Sequence, residues 1–162
     1  MRSSRNIAAV QPSLYEADYY AWLEQQIRAL REGHPEDLDS LNVAEELDDL
    51  SQSVRRELQS RLELILSHLL KWIYQAEKRT PSWENTIDEQ RARVADLLMK
   101  NPSLRRELED VVTEAYRYAR RAAGNDMGLG LREWRRRFPS EAPWSAAEIL
   151  NASFLPKNLA RR

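Results

Sequence analysis

Five residues of one stretch have the types and the spacing that could do chemistry: Glu46, Glu57, Arg61, His68 and Trp72. On a helical wheel at roughly 100° per residue, Leu50, Glu57, Arg61 and His68 fall within about 40° of one another, with Glu46 close beside them. Val54 and Trp72 border the same lane. Glu57 and Arg61 stand four apart, acid first, the order that favours a helical ion pair. His68 lies one turn before Trp72, and histidine is the side chain that titrates nearest neutral pH. Two readings follow. One is a half-buried Glu/Arg/His site for an anion, a metal or a substrate. The other, favoured here, is a structural network: Arg61 paired to carboxylates and His68 hydrogen-bonded under an aromatic cover. Such a pair sets helix register and adds little net stability.

The element that must position these residues is the stretch 38–75. It holds no Gly and no Pro, the residues that most disfavour a helix interior. Leu47, Leu50, Val54, Leu58, Leu62, Ile65 and Leu69 recur at steps of three and four, which is helical spacing. The reading is one long helix, with a bend admissible at Ser51 to Ser53, where hydroxyl side chains compete for backbone bonds. Around residues 62–73 the helix turns apolar on nearly every side, so this segment is expected at the centre of the core.

The rest of the chain reads as helices gathered around it. Ser13 and Glu16 form a capping box that opens a first helix over 14–32, stopped by Gly33 and Pro35. Pro81 ends the long helix's continuation, and Ser82 is a candidate cap for a third helix over 83–100. Arg91 or Arg93 is expected to reach acids of the long helix. Asn101 and Pro102 suit the N-cap and first position of a fourth helix, ended by Gly124 and Asn125. Short helices follow at 131–137 and, behind the Ser145/Glu148 capping box, at 146–152, with Trp134, Phe138, Trp144, Phe154 and Leu155 as plugs. The fold class is therefore all-α: a single-domain helical bundle of four main helices around the central one, plus short C-terminal helices. Residues 1–12 are expected as a disordered tail, 13–157 as the domain and 158–162 as a frayed end.

Bulk properties remove several classes of function. The 162 residues make one domain, and 31% charged with 42% hydrophobic residues is the balance of a folded helical protein. There is no Cys, hence no disulfide, thiolate nucleophile or Cys-ligated zinc. Net charge is −1, which gives no overall drive toward nucleic acid or anionic lipid. The charge is segregated, however. Residues 32–50 hold eight acids and no Lys or Arg, while Arg132, Arg135, Arg136 and Arg137 cluster later. No apolar run reaches the roughly 20 residues of a membrane span. The N-terminus lacks the apolar core of a secretory signal, so a cytoplasmic address is the default expectation. Phosphate-loop, dinucleotide, nucleophile-elbow and zinc-protease motifs are all missing. His34, with Glu32, Glu36 and Asp37, reads as a solvated acidic turn. No cofactor and no metal is implied.

The succession LNVAEELDDL, SVRRELQSRLELILSHLLKWIYQ, SWENTIDEQR and NPSLRRELEDVVTEAY, then FP followed by PW, resembles the bacterial family called domain of unknown function 29. The likeness spans about 14–156, and HLLKW-x-YQ, R-x-x-SW and NPSLR are distinctive as a set. The resemblance implies an all-helical bundle and no established activity. Asn42, Glu45, Glu46, Arg61, His68, Lys71, Trp72, Arg79, Trp83 and Trp144 match recurrent family positions. Ala76 stands where the family pattern has Pro, which should let the long helix run further. Ala142 replaces a frequent Cys, and Ser51 a frequent Gly. The leading expectation is a non-enzymatic helical protein-interaction module, a homodimer or a binder of another protein. An enzyme or small-molecule binder using the lane stands second. Nucleic-acid binding through the arginines is the least favoured.

Overall fold

Residues 12–157 are described by the computed structural model. The expected tails fall mostly on 1–11 and 158–162, outside the described residues. All regular structure among the described residues is helical, as the class assignment requires. Seven α-helices run in the order α1 Leu14–Ala17, α2 Tyr19–Glu32, α3 Ser40–Tyr74, α4 Pro81–Lys100, α5 Leu108–Asp126, α6 Leu131–Arg137 and α7 Ala146–Leu150. Three short 3₁₀ turns lie between them, at Pro35–Asp37, Ala76–Lys78 and Pro102–Arg106. The chain forms two compact units, one up to Gln52 and one from Ser53, and α3 belongs to both.

In the first unit the Ser13/Glu16 capping box opens α1 as expected. The single helix expected over 14–32 is instead interrupted. Asp18 leaves the helical region (φ −150°, ψ 85°), and its carboxylate accepts from the Ala21 amide, so it closes α1 and caps α2. An Asp at such a position prefers the cap to the helix interior. Gly33, at φ +75°, ends α2 in the left-handed conformation.

In the second unit the core is built on the expected segment. Leu58, Leu62, Ile65, Leu66, Leu69 and Leu70 of α3 are fully buried. They pack with Ile87 and Val94 of α4, with Val111, Val112, Ala115, Tyr116 and Ala119 of α5, and with Trp134, Phe138, Trp144 and Ile149 beyond. The burial is not all round, since Leu64 keeps 44% of its surface exposed. Replacement of Pro by Ala76 does not lengthen α3, which ends at Tyr74. Arg79 explains the stop: its Nε donates to the Trp72 carbonyl at 2.8 Å while its guanidinium stacks on the Trp72 ring, so a terminal carbonyl is satisfied without further helix.

Three boundaries differ from the sequence reading. Pro81 begins α4 at its first position, behind Thr80, and Ser82 is not its cap. Asn101 faces backward: its Nδ2 donates to the Leu97 carbonyl of α4, and a 3₁₀ turn separates it from α5. Helix α5 runs through Gly124 and Asn125 to Asp126. Its stop is Gly128, at φ +70°, with Leu129 N–H bonded to the Gly124 carbonyl and Gly128 N–H to that of Asn125. This is the paired pattern of a Schellman cap.

Candidate functional site

Glu46 belongs to the first unit, where α1 and α2 supply an aromatic stack. Tyr15, Tyr19 and Trp22 lie at steps of four and three, and their ring centroids are 4.7–5.8 Å apart. Both phenols aim at one carboxylate: Tyr15 donates to Glu46 Oε1 at 2.7 Å and Tyr19 to Glu46 Oε2 at 2.6 Å. Beside this clamp, Asp39 ties the start of α3 to α2. It accepts from Trp22 Nε1 and Asn42 Nδ2, and its own amide donates to the Gln26 side chain.

The two phenols hold the Glu46 carboxyl below its usual range, Tyr19 more than Tyr15. In return the Glu46 bond pushes Tyr15 up to about 12, and Tyr19 is raised for the same reason. For a depressed carboxyl, the stabilisation is present above its unfolded pKa and is lost as pH falls through the folded value. For a raised phenol it is present below pH 10 and is lost as pH rises through about 12. Glu46→Gln is expected to return Tyr15 and Tyr19 toward ordinary ionisation in a tyrosinate absorbance titration. Tyr74 and Tyr116, raised by burial, should stay late. An unchanged titration curve would remove the clamp.

The other four lane residues belong to the second unit. Glu57 and Arg61 meet as expected: Arg61 Nη2 lies 2.6 Å from Glu57 Oε1, and Nη1 reaches Gln90 of α4 at 3.2 Å. Among the described residues, no hydrogen bond or ion pair joins His68 to this pair. Its Nδ1 donates to the Leu64 carbonyl at 2.9 Å, one turn back, which leaves Nε2 with the free lone pair of the neutral ring. Burial pushes the imidazole's pKa down. Trp83 of α4 meets the His68 ring edge-on at 6.5 Å. Trp72 is buried under Arg79.

Sequence reasoning missed the group beside His68. Lys71 is buried, its Nζ lies 2.8 Å from Asp126 Oδ2, and it also sits over the Trp83 ring at 5.3 Å. A lysine inside an otherwise apolar run was the available signal, since lysine is rarely buried without a partner. Also missed was Arg55, which forks onto Glu114 at 2.8 and 2.9 Å and reaches Glu107 at 3.2 Å. Neither Arg91 nor Arg93 reaches the long helix. Arg93 pairs with Glu89, four residues before it, and Arg91 turns to the C-terminal segment.

Two surface grooves stand out. One, of about 520 Å³, follows α2 past Glu24, Arg28, Glu32, His34 and Asp37. At its end His34, Glu36 and Asp37 have ligand atoms within 4.8 Å of one another, all exposed, with His34 bonded to Glu36. The other, of about 290 Å³, lies between α5 and α6, lined by Arg117, Tyr118, Arg121, Leu131, Trp134 and Arg135. Neither groove includes a lane residue. Among the described residues no helix is long and apolar enough to cross a membrane.

No curated protein and no solved structure gives a significant match to the chain. The family model described as domain of unknown function DUF29 matches residues 14–155. The HLLKW and NPSLR segments both fall inside that match. The chain therefore belongs to the DUF29 family.

Proposed function

We propose that the protein is a non-enzymatic helical interaction module that self-associates through the outer flank of α2. The observation that carries this reading is a stripe of apolar side chains. Tyr20, Leu23, Ile27 and Leu30 recur at steps of three, four and three, within about 80° of the helix circumference. Tyr20 is 70% exposed, Leu30 59% and Ile27 44%. The face of α2 that is buried is a different one, formed by Trp22, Gln26 and Ala29. Single exposed apolar residues need no explanation, but an aligned row at heptad spacing is the face that one helix offers another.

The lane residues act in this reading as a structural network. Support comes from their partners: two phenols on Glu46, Glu57 and Gln90 on Arg61, a backbone carbonyl on His68 and a stacked guanidinium on Trp72. Sedimentation velocity over a concentration series tests the interaction. The wild-type chain is expected to show a concentration-dependent rise in mass, which the Ile27→Asp, Leu30→Asp double variant loses while its circular dichroism is unchanged. A wild-type chain that stays monomeric throughout would refute self-association. Association unaffected by the double variant would refute the α2 face.

A further inference from the structure

The chain pairs most of the arginines in its interior and leaves one cluster without acids. Arg55, Arg61, Arg91 and Arg93 each make an ion pair, whereas Arg117, Arg121 and Arg135 make none among the described residues. These three converge on the groove between α5 and α6. Arg117 and Arg121 are one turn apart on α5, and Arg135 comes from α6. The floor is rigid, because Trp134 is buried between the guanidiniums of Arg120 and Arg135, at 5.4 and 5.5 Å. Between the charges stand two apolar tips, Tyr118 at 56% and Leu131 at 57% exposure. Arg, Tyr and Trp are the residues that dominate binding hot spots in protein interfaces. The groove is open, unlike the enclosing pockets that bury a small molecule. Its exposed leucine suits an apolar side chain better than a phosphate backbone. The groove thus calls for a helix that presents carboxylates beside an apolar side chain.

The chain itself displays that surface. Residues 32–50 hold eight acids and no Lys or Arg. At the start of α3, Leu41, Glu45 and Asp48 lie at steps of four and three on one face, and all are exposed, Leu41 to 82%. Glu45 and Asp48 form no ion pair among the described residues. A stripe of four side chains on α2 also falls short of the roughly 1,000 Å² that a specific interface needs, so self-association requires a second contact. We propose that the Arg117/Arg121/Arg135 groove of one copy receives the acidic, leucine-tipped start of α3 from a second copy. A two-fold dimer makes this contact twice. The proposal deepens the interaction reading by naming the partner, but it uses a different surface from the α2 stripe.

Charge reversal on the full-length chain tests it. One variant carries Arg121→Glu and Arg135→Glu, the other Glu45→Lys and Asp48→Lys. All four positions are exposed, and melting temperature checks that each variant folds. In sedimentation velocity each variant alone is expected to associate at least tenfold more weakly than wild type. An equimolar mixture should regain a dimer containing one of each, and a chain carrying all four substitutions should self-associate again. Reversals without effect, or a mixture that does not recover, would overturn the proposal. So would a wild-type mass that never rises with concentration, as pairing within one chain would give. Tight binding of a labelled oligothymidylate that groove reversal abolishes, with self-association intact, would assign the groove to nucleic acid instead. Loss of association only in Ile27→Asp, Leu30→Asp leaves the α2 reading standing without this contact. The opposite pattern leaves this contact without the stripe.

Discussion

Replacing Arg91 with Met is expected to destabilise the second unit by about 3 kcal/mol, because buried carbonyls left without donors cost about 1–3 kcal/mol each. Arg91 is 5% exposed and sits on α4. Its Nε donates to the Ile149 carbonyl at 2.8 Å, Nη2 to Phe154 at 2.7 Å and Nη1 to Ala152 at 3.3 Å. These carbonyls lie in and just past the last turn of α7, where a helix leaves its acceptors unsatisfied and favours a cation. Burial pulls the guanidinium's pKa down, and Asp88, 3.5 Å away, opposes that pull. One planar fork therefore closes the C-terminal segment over Trp144, Ile149 and Phe154. Met keeps most of the volume and removes every donor. Arg91→Lys is expected to recover less than half of the loss, since a single ammonium cannot span three carbonyls. Urea denaturation followed by tryptophan fluorescence measures both variants. A loss below about 1 kcal/mol for Met, the size of one ordinary hydrogen bond, would show that the fork is incidental.

The second large effect is expected at Gly124. In a helix interior, Gly→Ala ordinarily stabilises by about 1 kcal/mol. Here a Cβ would stand 2.7 Å from Trp134 Cβ and Cγ and 2.8 Å from Cδ1. Trp134 is held between Arg120 and Arg135 and cannot swing aside freely. Overpacking a filled site costs about 1–3 kcal/mol, so the propensity gain should be overcome and Gly124→Ala should lose about 1–2 kcal/mol net. A double variant with Trp134→Leu separates this account from a backbone effect. If the clash is the cause, the Gly124→Ala penalty shrinks or reverses sign once the indole is gone. A Gly124→Ala chain as stable as wild type in thermal unfolding would defeat the argument.

These two residues mark the limit of what local pattern reveals. Gly124 beside Asn125 has the composition of a helix stop, and the stop falls four residues later, at Gly128. Both glycines satisfy the same local statistic. One serves a left-handed turn, and the other serves the approach of an indole ten residues away. Arg91 and Arg93 are equally plausible partners for the acids of α3. Only the packing of α4 against the C-terminal segment sends Arg91 to backbone carbonyls and leaves Arg93 on its own helix. Asp18 is a case in which composition held the answer. An Asp inside an aromatic run is a cap as readily as a helix residue, and here it caps.

The candidate lane divides the same way. Glu57 and Arg61 pair because a four-residue step on a helix brings them together whatever surrounds it. His68 shares their face on the wheel, yet its ring turns back to Leu64 and its neighbours are Trp83 and Lys71. Glu46 is taken by two phenols that lie 27 and 31 residues away.

The sequence alone determined the all-α class, the helical register of 40–74, the capping boxes at Ser13 and Ser145, the left-handed stop at Gly33 and the apolar segment that forms the core. Each depends on interactions within about one or two helical turns, where the backbone's geometry is already known. Tertiary structure decided which polar groups meet: Glu46 with Tyr15 and Tyr19, Lys71 with Asp126, Arg55 with Glu114, Arg91 with α7. It also decided which arginines are left without acids. Those choices depend on the approach of surfaces 27 to 63 residues apart in the chain, and no periodicity records them.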